Sequence, residues 1–265
     1  MAEIFPRDRL FIIAGPCVVE DDALNIGIAN ELRKLSSRVP GGIVYKASFD
    51  KANRSNRDAA RGPGIEQGLA ALERVKDASG MAVITDVHLP DQCSDAARVA
   101  DALQIPAFLC RQTELLAAAA RTGKAVNVKK GQFLSGASMK FAAEKINEVN
   151  PAAQVILTDR GNSFGYGDLV VDYRNLPEMA AFGVPVVMDC THSLQQPNQT
   201  SGVTGGKPKL IETIAKAAIA VGADGLFIET HFNPSEAKSD GANMLPLDQL
   251  EGLLERLVRV REAIL

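Results

Sequence analysis

Apolar and polar positions alternate in blocks along this chain. Short runs that are apolar nearly throughout occur at 10–15, 43–48, 82–87, 102–106, 125–130, 154–159, 185–190 and 225–230. Runs of this length and character predict strands covered on both faces. Between them lie stretches with helical spacing of apolar residues, near 22–37, 64–78, 91–99, 112–121, 138–149, 174–182, 209–221 and 247–264. Eight strand–helix pairs within 265 residues predict a (β/α)8 TIM barrel, formed as a single domain over 1–265. The competing arrangement, a doubly wound open sheet, normally shows a Gly-rich phosphate fingerprint after its first strand. Here that strand runs into Ala14-Gly15-Pro16-Cys17 with no G-x-G-x-x-G.

Composition then narrows the class. Apolar residues make up 46% of the chain, and 29 Lys and Arg face 32 Asp and Glu, for a formal net charge of −3. That balance gives no basic excess for nucleic acid. The longest unbroken apolar run, 115–120, falls far short of the roughly 20 residues of a membrane helix. Residues 1–8 lack the basic start and apolar core of a secretory signal. Four cysteines without tight spacing predict reduced thiols. The expectation is a cytoplasmic protein that binds neither nucleic acid nor membrane.

Barrel enzymes carry their chemistry at the C-terminal ends of the strands. Those ends hold Cys17, Lys46, Ser48, Asp86, His88, Arg111, Lys129, Lys130, Arg160, Asp189, His192, Glu229 and His231. Lys46, Lys51, Arg54, Arg111, Lys129, Lys130 and Arg160 form a cationic set that a barrel would converge on one mouth. Arg forks and Lys point charges there suit phosphate and carboxylate groups. Cys17, His192 and Glu229 come from neighbouring strands of a closed barrel, and Asp240 follows in the last loop. A thiolate, an imidazole and two carboxylates suit a divalent first-row ion such as Fe2+, Zn2+, Mn2+ or Co2+. The spacing alone leaves a second reading open, with Cys17 a small core residue and His192 a hydrogen-bonding loop residue. Asp86 and His88 share one side of their strand. The Gly-rich stretch 202–206 is either a lid or a passive connector.

With these residues in place, the chain resembles the 3-deoxy-D-manno-octulosonate 8-phosphate (KDO8P) synthases over nearly its whole length. The resemblance rests on Lys46-Ala-Ser-Phe-Asp-Lys-Ala-Asn-Arg-Ser55, Ile84-Thr-Asp-Val-His88, Ile105-Pro-Ala-Phe-Leu-Cys-Arg-Gln-Thr113, Phe164-Gly-Tyr166 and Asp240-Gly241. Related DAHP synthases typically carry Lys-Pro-Arg-Thr where this chain has Lys51-Ala-Asn-Arg54. The resemblance implies condensation of phosphoenolpyruvate, D-arabinose 5-phosphate and water to KDO 8-phosphate and phosphate. It also implies lipopolysaccharide biosynthesis in a Gram-negative type of bacterium, and a homotetramer. Cys17, where a metal-independent class has Asn, and the string 239–244 resemble the metal-dependent class.

Carried over by resemblance, Lys51, Arg111, Lys129 and Arg160 would hold phosphoenolpyruvate. Asn53, Arg54 and Ser55 would bind arabinose 5-phosphate, with Lys46 and Asp86 near its aldehyde end. Ser48 and Gln132 match further active-site positions, and Cys17, His192, Glu229 and Asp240 would hold the metal. Lys46, Asp86, Lys129, His192 and Asp240 are the expected catalytic set. The chain departs from the family at Gly136, usually Pro, at Phe141, usually Asn, and at Gly165-Tyr166-Gly167-Asp168. Three other readings stay open: a DAHP synthase-like condensation with another aldose phosphate, a Schiff-base aldolase using Lys129, and a sugar-phosphate sensor.

Overall fold

The computed structural model describes residues 4–52, 58–197, 199 and 204–265. Eight parallel strands form the barrel: β1 (Phe11–Gly15), β2 (Ile43–Lys46), β3 (Val83–Asp86), β4 (Ala102–Ile105), β5 (Ala125–Lys129), β6 (Val155–Asp159), β7 (Val186–Asp189) and β8 (Gly225–His231). Each pairs with the next, and β1 pairs with β8 through Phe11↔Gly225 and Ile13↔Phe227, which closes the sheet. The helices between and after them are α1 (Asp22–Ser36), α2 (Ile65–Ser79), α3 (Gln92–Val99), α4 (Thr113–Arg121), α5 (Lys140–Val149), α6 (Asn175–Ala180), α7 (Ile211–Ala220) and α8 (Leu247–Ala263). The expected TIM barrel is the observed fold. Among the described residues, no helix is long and apolar enough to cross a membrane.

The period of two along each strand sorts its residues between two cores. Outward-facing residues such as Ile12, Tyr45, Leu103 and Val128 join the helices in the larger apolar cluster. Inward-facing Phe11, Ile13, Val44, Ile84, Ala102, Ala125, Ile156, Val187 and Phe227 fill the barrel, with Phe5 beneath them. Phe5 meets Phe11 edge-on at 5.3 Å between ring centroids. Gly225 makes room for this plug, since a Cβ there would lie 2.4 Å from the Phe11 ring.

One step of two residues up the same strands, the inward positions turn polar. Gln104, Asn127 and Thr158 lie on β4, β5 and β6, and all are buried. Thr158 donates its hydroxyl to Asn127 at 2.7 Å, Asn127 its amide to Gln104 at 2.9 Å, and Gln104 its amide to Asp86 at 2.5 Å. Buried polar groups need such partners, and here the chain ends on a carboxylate at the barrel mouth. The departure at Gly136 has its own fit. Its N–H donates to Asn175 Oδ1 at 2.9 Å, and a Cβ there would lie 2.8 Å from the Asn175 backbone. Asn175 in turn donates to Asp159 at 2.8 Å. A proline lacks the N–H for this contact. Phe141 is exposed.

Candidate active site

The barrel mouth encloses a cavity of about 540 Å3. Lys46, Lys51, Asp86, Lys129, Gln132, Arg160, His192 and Asp240 line it. Ser48, Cys17 and Glu229 are fully buried beside them.

Lys46 sits at the junction of two sets of groups. Its ammonium donates to the Cys17 carbonyl at 3.0 Å and to Ser48 Oγ at 2.9 Å, and lies 3.2 Å from Asp86 and 3.5 Å from Glu229. Ser48 donates its hydroxyl to Asp86 Oδ2, while Gln104 occupies Oδ1. Burial works to raise the Asp86 pKa, but Lys46 and Lys51 hold it well below the usual carboxylate range. Lys51 reaches the same carboxylate at 3.9 Å. Burial opposes its charge, yet Cys17, Glu229, Asp86 and Asp240 together raise its pKa well above that of an ordinary lysine.

A second set gathers on Asp189. Its Oδ2 accepts from Lys129 at 2.7 Å and meets His192 Nδ1 at 2.8 Å, while Oδ1 accepts the backbone N–H groups of Thr191 at 3.1 Å and His192 at 2.8 Å. Burial again works to raise the carboxyl, and His192, Lys129 and Arg160 overcome it to keep Asp189 an anion. With Nδ1–H directed to Asp189, the Nε2 lone pair of His192 is left for a metal. That nitrogen lies 3.6 Å from oxygens of both Glu229 and Asp240. Lys129 stands 3.7 Å over the Phe227 ring, and burial lowers its pKa against the pull of Asp189. Arg160 donates to the His192 carbonyl at 3.2 Å and to Gln195 at 2.5 Å.

The candidate metal centre lies between these sets. Ligand atoms of Cys17, Glu229 and Asp240 all fall within 4.8 Å of one another. Cys17 and Asp240 are also the two non-glycine residues of positive φ among those described, at 58° and 51°. Such conformations cost about 1–3 kcal/mol and persist where the surroundings enforce them. Both oxygens of Glu229 are buried without a hydrogen-bond partner, with the Lys46 ammonium 3.5 Å from one of them, a costly state for a carboxylate unless a cation meets it more closely. Burial, Glu229 and Asp240 push the Cys17 thiol up to about 12. A divalent ion reverses that preference by binding the thiolate. Donor types, the orphaned carboxylate and the strained backbone all fit a first-row divalent ion.

Other expected residues are placed elsewhere. Asn53, Arg54 and Ser55 lie outside the described residues, as do 202 and 203 of the Gly-rich stretch. Arg111 is exposed and does not line the cavity. β4 ends at Ile105, and a 3-10 turn at Ala107–Leu109 intervenes, so Arg111 is not a strand-end residue. Lys130 leaves the cationic set. It follows Lys129 by one residue, so it turns to the other face, where it is fully buried and donates to Asn162 at 2.8 Å and to the Leu134 carbonyl at 3.1 Å. Gln104 is absent from the residues singled out by sequence, and Asp189 is among them only as a strand-end residue without a partner. Each is a polar residue at an inward position of an otherwise apolar strand, which was their available signal.

The sequence pattern of the DAHP synthetase I family matches residues 6–265. The chain belongs to this family. Among its relatives, a protein of Brucella ovis called 2-dehydro-3-deoxyphosphooctonate aldolase is 52% identical over 250 residues, covering 94% of this chain and 90% of the relative. Proteins of the same name from Brucella canis and Brucella abortus match equally, at 52% over 250 residues. Family membership makes the chain an enzyme, and the cavity lies where barrel enzymes carry their chemistry.

Proposed function

We propose that this enzyme is a KDO8P synthase: it condenses phosphoenolpyruvate with D-arabinose 5-phosphate and water, giving KDO 8-phosphate and inorganic phosphate. A carbon–carbon bond forms between C3 of phosphoenolpyruvate and the aldehyde carbon, water adds at C2, and phosphate leaves. The observation that carries this reading is the convergence of Lys46, Lys51, Lys129 and Arg160 on one cavity that also borders the Cys17, His192, Glu229 and Asp240 set. Four cations in a single cavity suit two substrates that together bear two phosphates and a carboxylate. The names of the 52% identical relatives support the product.

Lys129, Arg160 and Lys51 bind the phosphate and carboxylate of phosphoenolpyruvate, with Gln132 beside them. Asn53, Arg54 and Ser55 take the phosphate of the sugar. Lys46, held by Ser48 and Asp86, faces the aldehyde end and stabilises the oxygen on which negative charge develops. Fixing both anions in one cavity supplies roughly 7–11 kcal/mol of the barrel enzyme's rate advantage through proximity. A divalent ion on Cys17, His192, Glu229 and Asp240 supplies Lewis-acid polarisation and substrate orientation. The enzyme works in the cytoplasm, in lipopolysaccharide biosynthesis, as a homotetramer.

Phosphate release from phosphoenolpyruvate tests the substrate pair. Arabinose 5-phosphate is expected to support it and erythrose 4-phosphate is not. Release with erythrose 4-phosphate instead favours the DAHP synthase-like reaction. A borohydride-trapped adduct on Lys129 favours the Schiff-base aldolase. No release with either sugar returns the sensor to consideration.

A further inference from the structure

The segments that follow β1 and β8 carry Cys17 and Asp240, and they meet at a second point through Glu20 and His231, which do not line the cavity. Glu20 lies three residues beyond Cys17, and its side chain is only 6% exposed. Its Oε1 accepts the backbone N–H of Lys238 at 3.1 Å, two residues before Asp240. The same carboxylate faces His231 Nε2 at 3.7 Å, two residues after Glu229. Both partners are fixed from behind. Asn25 Oδ1 accepts the Glu20 N–H at 3.1 Å while Asn25 Nδ2 donates to the Glu20 carbonyl at 3.2 Å. His231 Nδ1 accepts the Asn233 N–H at 3.0 Å, which leaves the proton of the neutral ring on Nε2, toward Glu20.

We infer that Glu20 is a positioning residue for the metal centre, with His231 as its backing, granted that Cys17, His192, Glu229 and Asp240 hold a divalent ion. Cys17 and Asp240 both stand in left-handed backbone conformations, which are uncommon outside glycine and especially so for cysteine. Something must fix each segment relative to the other. The 3.1 Å hydrogen bond from the Lys238 N–H to the Glu20 carboxylate joins them directly. It sets the separation of the thiolate from the carboxylate, and so the fit of the ion.

The test is metal affinity, read without turnover. Zn2+ binding by competition with a chromophoric chelator gives the constant, and the visible spectrum of the Co2+ protein reports the ligand geometry. Glu20→Ala is expected to weaken Zn2+ binding about 10–100-fold, as loss of outer partners of metal ligands does, and to alter the Co2+ bands. Glu20→Gln keeps an oxygen for the Lys238 N–H and is expected to restore most of the affinity. If Glu20→Ala does not fold, Glu20→Asp carries the prediction instead, with weakened binding and an altered spectrum. Unchanged affinity and spectrum in Glu20→Ala, or in Glu20→Asp where it replaces it, overturn the positioning role while leaving the metal reading intact. A loss in Glu20→Gln equal to that in Glu20→Ala also overturns it. Wild-type protein that binds neither ion overturns the metal reading, and the positioning role with it.

Discussion

The two ends of the barrel use the same strands for opposite purposes. At the floor, inward positions are Phe11, Ile13, Val44, Ala125, Val187 and Phe227, all apolar and tightly filled. Two to four residues further along, the same faces present Lys46, Asn127, Lys129, Asp189 and Glu229. Floor and mouth are equally buried. The difference is what burial does in each place. Burying apolar area stabilises the floor, whereas burying Lys129, Asp189 and Glu229 destabilises the mouth unless they pair with one another or with a ligand. Inside the barrel, apolar burial is thus concentrated at one end, and the other end holds buried charges that need partners.

This separation makes predictions that decrease in size. Phe11→Ala removes the ring that meets Phe5 and fills the space left by Gly225. It is expected to cost about 3–5 kcal/mol in denaturant unfolding, with kcat unchanged in the folded fraction. A fall in kcat comparable to the loss of stability would join the two ends. Lys129→Met acts at the mouth, where it removes a cation proposed to hold phosphoenolpyruvate and leaves Asp189 with its other partners. It is expected to lower kcat about 10²–10³-fold, and an undiminished rate in steady-state kinetics would remove Lys129 from the site.

Proton linkage at Cys17 gives the next effect. Its thiol, pushed up to about 12, is protonated at neutral pH in the metal-free protein, and binding an ion expels that proton. Metal affinity is therefore expected to rise about tenfold per pH unit through neutrality and to flatten only as pH passes the thiol's own value. Chelator competition at several pH values measures the slope, and a flat profile would show that no thiol proton is displaced. A further effect is at the midpoint between floor and mouth. Thr158→Val removes the first donor of the Thr158–Asn127–Gln104–Asp86 chain. Leaving Asn127 without that donor is expected to cost about 1–3 kcal/mol in stability, and an increase in stability would argue that the chain is dispensable.

Much of the architecture was legible because strand and helix periods are local. The last helix, expected at 247–264, is Leu247–Ala263, and the sixth, expected at 174–182, is only Asn175–Ala180. At the site, the alternation argument that put Asp86 and His88 on one side agrees with both lining the cavity. The same argument, followed past the strand, would have turned Lys130 away from it. Arg111 illustrates a different limit: an apolar stretch does not reveal where a strand yields to a 3-10 turn, so a residue six beyond Ile105 was read as a strand end. The linkage of Asp189 to both Lys129 and His192 was not legible, because it joins one residue 60 positions away and one only three away with no shared pattern. Nor does sequence show that Cys17 and Asp240 share a left-handed backbone.

Phosphate release from phosphoenolpyruvate and arabinose 5-phosphate, followed through removal and return of the metal, tests the paired charges of the mouth most directly. Release is expected to stop when a chelator strips the ion from Cys17, His192, Glu229 and Asp240, and to resume when Fe2+, Zn2+, Mn2+ or Co2+ is added back. Full activity in protein shown to be metal-free would contradict the assignment of those four residues.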